Sequence, residues 1–187
     1  ADNGPADLSS VACDAIGSSG PFVGAWQHRV DGGGGGGACK ATTWEGGHRM
    51  IGVAYWSGVI TPGIATNALT HTLDMMVTFA KLANADLTQY KREFDGMDLT
   101  PILKNNNSTL FENRVIFHQD GGANLNAMRY GKYKAFFKSA GSGGGGCREA
   151  NGSHRWPTGG GSVTHSPPLV FDLSVDSSES SPIVPPA

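Results

Sequence analysis

Apolar residues recur at helical spacing along one stretch of the chain. Between Asn67 and Ala83 they fall at Leu69, Leu73, Met76, Val77, Ala80 and Ala83. Separations of three and four residues put them on one helical face. Asn67 suits an N-cap and Asn84 a left-handed stop, so the pattern predicts one long helix between them. The adjacent Met75 and Met76 read as core filler rather than ligands. Other apolar runs are short. "VAYW" (Val53 to Trp56) reads as a strand, and "SGVITPG" then turns the chain. "FDGMDLTPIL" (Phe94 to Leu103) is a turn followed by a short apolar stretch. "RVIFH" (Arg114 to His118) and "PPLVFDLS" (Pro167 to Ser174) read as strands. "NAMRYGKYKAFFK" (Asn126 to Lys138) splits at Gly131 into a hairpin of two strands. The sum is about four strands joined by hairpins, an antiparallel sheet with a helix packed on one face.

The polar and glycine-rich stretches frame these elements. Residues 1–40 are irregular, and the run Gly32–Gly37 has no side chains to pack, so it is expected as a flexible surface loop. It is no phosphate-cradling loop, because Lys40 is followed by Ala41 rather than Ser or Thr. The tract Asn105–Ser108 is a polar loop, and residues 139–162 are again rich in Gly and Ser. The tail "SSESSPIVPPA" is expected to be disordered.

Composition narrows the function classes. The 187 residues are 39% hydrophobic, enough for a core, and 16% charged, with 28 glycines. A net charge of −2 with no basic stripe argues against nucleic acid as a partner. No apolar run approaches the roughly 20 residues of a membrane span. No signal peptide stands at Ala1, as expected of a mature domain or of an internal fragment. Cys13, Cys39 and Cys147 are too few for a disulfide scaffold, and none lies in a C-x-x-C pair. Sequons at Asn106, Asn107 and Asn151 point to an oxidising, extracytoplasmic compartment.

Two stretches carry candidate chemistry. In "ADNGP", Asp2 and Asn3 present a carboxylate and an amide oxygen side by side, hard donors that suit Ca²⁺ or Mg²⁺. The plainer reading is a simple turn. In "CKATTWEGGHRM" (Cys39 to Met50), Lys40, Glu45, His48 and Arg49 surround a Gly-Gly pair. A cation beside adaptable backbone can hold sulfate or phosphate. The plainer reading there is a solvated loop with a Glu–Arg ion pair.

In order along the chain, "ADNGP", "GPFVGAWQ", "KATTWEGGHR", "VAYWSG", "TLDMM", "FDGMDLTPIL", "MRYGKYKAFF" and "PPLVFDLS" resemble the C-terminal part of type I sulfatases. The similarity is strongest to the arylsulfatase A and arylsulfatase G group and their invertebrate relatives, and covers most of residues 1–175. It implies that Asp2 and Asn3 are two ligands of a divalent cation, usually Ca²⁺. It implies that Lys40 touches a sulfate oxygen, a task suited to a compact ammonium charge. Glu45 and Arg49 match positions read as bracing the loop that carries Lys40. His118 matches a strand leading into a loop near the substrate, so it is a pocket candidate. His165 reads as a surface or strand-edge residue. For the disulfide, the resemblance implies Cys147 paired with either Cys39 or Cys13.

The family hydrolyses sulfate esters with a formylglycine made from the cysteine of a Cys-x-Pro-Ser-Arg motif. None of the three cysteines fits that motif. In the family it lies upstream of Asp-Asn-Gly, with the remaining metal aspartates and catalytic histidines. Family prolines are replaced by Ile51, Ser57 and Val77, which removes no chemical group. The expectation is therefore the C-terminal portion of an α/β, alkaline phosphatase-like sulfatase. Residues 1–60 would end the catalytic domain, 61–175 would form a C-terminal subdomain, and 176–187 a tail. The implied partners are a sulfated small molecule, lipid or glycan and the N-terminal part of the same enzyme, in a lysosomal or secreted setting. The alternatives are a secreted, non-catalytic sulfate- or glycan-binding protein on the same scaffold, and a related phosphoryl-transfer enzyme.

Overall fold

The computed structural model describes residues 4–5, 17–29, 33–120, 122, 124–141, 150–153 and 160–183, and all structural statements concern these. Asp2, Asn3, Cys13 and Cys147 lie outside the described residues. The chain divides into two compact units. One combines Ala1–Ile51 with Val115–Ala187, and the other is Gly52–Arg114. The division thus falls at residues 51 and 115, where the sequence suggested a boundary at 60.

The first unit is built on an antiparallel meander of four strands: β1 (Val115–Gln119), β2 (Leu125–Tyr130), β3 (Tyr133–Ala140) and β4 (Ser162–Asp172), in that spatial order. The β2–β3 hairpin turns at Gly131, whose φ of +54° glycine adopts without a Cβ penalty. β4 begins five residues before the expected Pro167. The register aligns His118, Ala127, Phe136 and Leu169 across the sheet. A second row, two residues along each strand and hence on the same face, is Ile116, Arg129, Lys134 and Phe171.

Over this face lies a short helix, α1 (Glu45–His48), and the segment leading into it. Trp44 is fully buried and stacks on Phe136 with ring centroids 4.1 Å apart, and its edge meets Phe171 at 6.0 Å. Trp26, Ala38, Ala127, Leu169 and Leu173 complete the cluster. The loop is therefore not solvated, because Trp44 carries it into the core.

The glycine run is not a surface loop either. Gly33, Gly35, Gly36 and Gly37 are buried, the first and second of them against the side chain of Gln27. Gln27 Nε2 donates to the carbonyls of Gly33 and Gly35, and Gln27 Oε1 accepts from Trp44 Nε1 at 3.2 Å. A Cβ at Gly33 would lie 2.0 Å from the Trp26 carbonyl oxygen, so absence of a side chain is what lets this backbone pack. The tail departs from expectation in the same way. Residues 176–183 are placed, and Glu179 within them is fully buried.

The second unit holds α2 (Leu73–Leu82), α3 (Thr100–Asn105) and a 3₁₀ turn, Thr109–Phe111. The long helix predicted from Asn67 starts six residues later. Its beginning is set by polar side chains: Asp74 Oδ2 accepts the His71 N–H at 2.7 Å, and His71 Nδ1 accepts the Leu73 N–H at 3.1 Å. Its end follows the prediction, with Asn84 left-handed at φ +53°. The expected strand at Val53–Trp56 forms no ladder among the described residues, and Val53 and Tyr55 are 91% and 89% exposed. Arg114, expected to open a strand, instead closes this unit with both its terminal nitrogens on Asp74, at 2.5 and 2.6 Å.

Candidate functional site

The two stretches singled out for chemistry meet in the first unit. The Gly4 N–H donates to the Gly47 carbonyl at 3.0 Å, and the Lys40 N–H donates to the Pro5 carbonyl at 2.9 Å. The peptide that follows Asp2 and Asn3 is thus clasped between the Gly-Gly pair and the backbone of Lys40. This closeness needs glycine. A Cβ at Gly4 would fall 1.9 Å from the Gly46 carbonyl oxygen, and one at Gly47 would fall 2.5 Å from the Thr42 carbonyl oxygen.

Lys40 is exposed on a tight turn. Thr42 closes it by donating both its N–H and its Oγ1–H to the Cys39 carbonyl, at 3.2 and 2.7 Å. Ala41, between them, is left-handed at φ +69°. An alanine in that region costs on the order of 1 kcal/mol and persists only where its surroundings impose it. Beneath the turn, Thr42, Thr43, Trp44 and Glu45 are buried in succession.

Glu45 is the hub of the charges beneath the loop. Its carboxylate lies 3.0 Å from Lys134 Nζ, 3.1 Å from Arg129 and 3.6 Å from Arg49. Arg49 also lies over the Phe22 ring, 4.5 Å from its centroid. Lys134 is fully buried and has a second anion, Glu179, at 3.1 Å. Burial pulls the Glu45 carboxyl upward, yet the Lys134 and Arg129 charges prevail and hold it down at about 2. Glu179 shares the same ammonium and is fully enclosed, so burial pushes its carboxyl up to about 7.

At the other end of α1, His48 meets His118 edge to face, with centroids 4.6 Å apart. His118 is buried, and its Nε2 has no hydrogen-bond partner. Burial first, then the Lys134 charge, lowers its pKa to about 3, so the imidazole is neutral across the physiological range. His165 is half-buried, with Nε2 2.9 Å from Ser139 Oγ across β3 and β4.

The structure therefore brings together Lys40, Glu45, Arg49, His118 and the backbone beside Asp2 and Asn3. Asn106 and Asn107 lie in the second unit, where Asn106 ends α3 in a left-handed conformation. Asn151 is exposed and accepts from the Ser153 N–H and Oγ–H of its own sequon, at 2.9 and 2.6 Å. Sequence reasoning missed Arg129, Lys134 and Glu179. The first two carried a signal. A hairpin turning at Gly131 sets Arg129 opposite Lys134, and two cations side by side on a buried face require an anion between them. Glu179 lay in the presumed tail and gave none.

The family model describing the C-terminal region of aryl-sulfatase matches residues 112–187. Arylsulfatase G of Canis lupus familiaris is 38% identical over 97% of this chain and 31% of its own length. Human arylsulfatase A is 35% identical over 75% of this chain and 27% of its own length. The crystal structure of PsFucS1 sulfatase from Pseudoalteromonas sp. superposes with a TM-score of 0.70 at 28% identity, covering 97% of this chain and 31% of that one. The chain carries a C-terminal sulfatase region. It spans about a third of the length of the arylsulfatase G relatives it matches. Among the described residues no helix is long and apolar enough to cross a membrane.

Proposed function

We propose that this chain is the C-terminal portion of a sulfatase that hydrolyses sulfate esters, and that it contributes one wall of the active site. The observation that carries the reading is the clasp of Gly4 and Pro5 against Gly47 and Lys40. It supports a single site made from the Asp-Asn-Gly and Lys-x-Thr-Thr-x-Glu-Gly-Gly motifs, which are distant in sequence.

In this reading Lys40 contacts a sulfate oxygen and neutralises charge that develops on the sulfuryl group or the leaving oxygen. Glu45 and Arg49 hold the loop beneath it. Asp2 and Asn3 offer hard oxygen donors, a set that fits Ca²⁺. Such a cation would supply Lewis-acid polarisation of the sulfate. His118, neutral and buried behind His48, lies in the wall beneath the loop. The formylglycine nucleophile belongs to a segment outside these 187 residues, since none of Cys13, Cys39 and Cys147 stands in the required motif. The sequons at Asn106, Asn107 and Asn151 and the implied Cys147 pairing with Cys39 or Cys13 accord with a lysosomal or secreted glycoprotein.

The test is hydrolysis of an aryl sulfate. The 187-residue chain alone is expected to show no turnover. In the longer protein, Lys40→Ala should lower kcat/KM by about 10²–10³-fold, the usual cost of removing one charge-stabilising group. Turnover by the isolated chain, or full activity of the Lys40→Ala variant, would refute the reading.

A further inference from the structure

The turn near the C-terminus is bound to the loop of Lys40 by one residue. Residues 176–181 form a self-contained knot: the Asp176 carboxylate accepts from the N–H groups of Ser180 and Ser181 and from the hydroxyls of Ser178 and Ser180. The knot is fixed to the first unit by its backbone, as the carbonyls of Ser178 and Glu179 accept from Ala25 and Trp26 at 2.8 and 3.0 Å. At its apex Glu179 is left-handed, at φ +54°, and its side chain is completely buried. A bulky non-glycine residue takes that conformation when its surroundings require it.

The glutamate carboxylate points at the base of the Lys40 loop. Oε2 accepts the Glu45 N–H at 2.8 Å, and Oε1 lies 3.1 Å from Lys134 Nζ in an ion pair. Glu45 is the first residue of α1 and stands five residues after the exposed Lys40, within the buried run that starts at Thr42. The other side of the loop is held by the Pro5 carbonyl on the Lys40 N–H. Among the contacts that hold this loop, the one to its Glu45 amide comes from 134 residues away.

We propose that Glu179 is a positioning residue that latches the C-terminal turn onto the Glu45 amide and so fixes the loop bearing Lys40. The latch works through an acceptor oxygen on a buried, pre-set backbone. It does not touch the substrate. Its bearing on catalysis rests on the sulfatase reading given above, whereas the latch itself does not.

The experiment compares Glu179→Ala, which removes the acceptor, with Glu179→Gln, which keeps an amide oxygen for the Glu45 N–H. Hydrogen exchange is followed in the longer protein over residues 40–48 and, as a reference, over β2 and β3. Glu179→Ala should speed exchange in 40–48 at least tenfold while the two strands keep their protection. Glu179→Gln should restore most of it. In parallel, kcat/KM for an aryl sulfate should fall in Glu179→Ala, and Lys40→Ala/Glu179→Ala should be no slower than Lys40→Ala alone. Unchanged exchange in 40–48, equal loss of protection across the sheet, or an additive double variant each overturns the latch. If Lys40→Ala keeps full activity while exchange responds as described, the sulfatase reading fails and the latch on the loop stands.

Discussion

Glu45 pairs its carboxylate with three basic side chains and donates its backbone N–H to a fourth group, the carboxylate of Glu179. Two buried acids around Lys134 cannot be equally ionised, and their surroundings separate them: Glu45 falls to about 2 and Glu179 rises to about 7. The consequences for stability have opposite signs. The unfolded chain holds the Glu45 proton up to its ordinary value of 4.5, so the stability Glu45 contributes is present above 4.5 and lost as pH falls toward 2. For Glu179 the folded chain binds its proton more tightly, so acidification from 7 to 4.5 favours the fold. His118 opposes it. Buried and neutral, it refuses the proton that the unfolded chain takes up below 6.5, and stability drops as pH falls from there toward 3. The wild-type chain should therefore lose on the order of 2 kcal/mol more than His118→Gln when the pH is lowered from 6.5 to 4.5. Urea midpoints measured across that range for the two proteins check it. Parallel profiles would mean that His118 titrates normally and is not buried as a neutral group.

At the scale of elements, α2 shows how a correct pattern can be assigned to the wrong side. Its apolar residues do recur at helical spacing, yet Leu73, Met76 and Phe79 are exposed and the buried positions are Asp74 and Thr78. Asp74 accepts the Met97 N–H at 2.8 Å and the Arg114 guanidinium, and Thr78 Oγ1 accepts the Leu99 N–H at 2.9 Å while donating to the Asp74 carbonyl at 2.7 Å. Removing one partner of such a buried pair leaves an uncompensated charge, at a cost of about 3–5 kcal/mol. Asp74→Ala should therefore lose that much in urea unfolding. Hydrogen exchange should show the loss concentrated in residues 73–105, with the β2–β3 hairpin still protected. Equal loss in the hairpin would contradict an element held mainly by its own polar core. The hairpin was legible in the sequence because its signals are local, an alternating pattern broken by Gly131. The start of α2, the buried glycine run and the packed turn at Glu179 were not. Their partners are polar groups that leave no hydrophobic period: His71 and Asp74 at the start of α2, Gln27 six residues from Gly33, and, far along the chain, Glu45 for Glu179.

Over the whole molecule, what was legible is what the motifs carry. Lys40 and the Asp-Asn-Gly segment could be named in advance, and the structure sets Gly4 and Pro5 against the backbones of Gly47 and Lys40. Of the charges that hold the loop from beneath, Arg129 and Lys134 could be paired through the predicted hairpin, whereas Glu179 lay in the presumed tail and was hidden. A further feature belongs to this scale. Within residues 52–114, Val53 and Tyr55 are almost wholly exposed, Phe79 is 59% exposed, and Met75 and Met76 are each 46% exposed. Large apolar side chains left in water are candidates for surfaces that are covered in the working protein or that drive association. The chain spans about a third of its arylsulfatase G relatives, and under the proposed reading the rest of such an enzyme would supply the cover. The 187-residue chain produced alone should accordingly bind a hydrophobic dye and self-associate as its concentration rises. Val53→Lys/Phe79→Lys should reduce the dye signal and shift the chain toward monomer, without disturbing the β2–β3 hairpin seen by hydrogen exchange. The longer protein should bind far less dye per mole than the isolated chain. A monomeric isolated chain with no dye response, or a longer protein that binds as much, would mean that these side chains are tolerated in water and cover nothing.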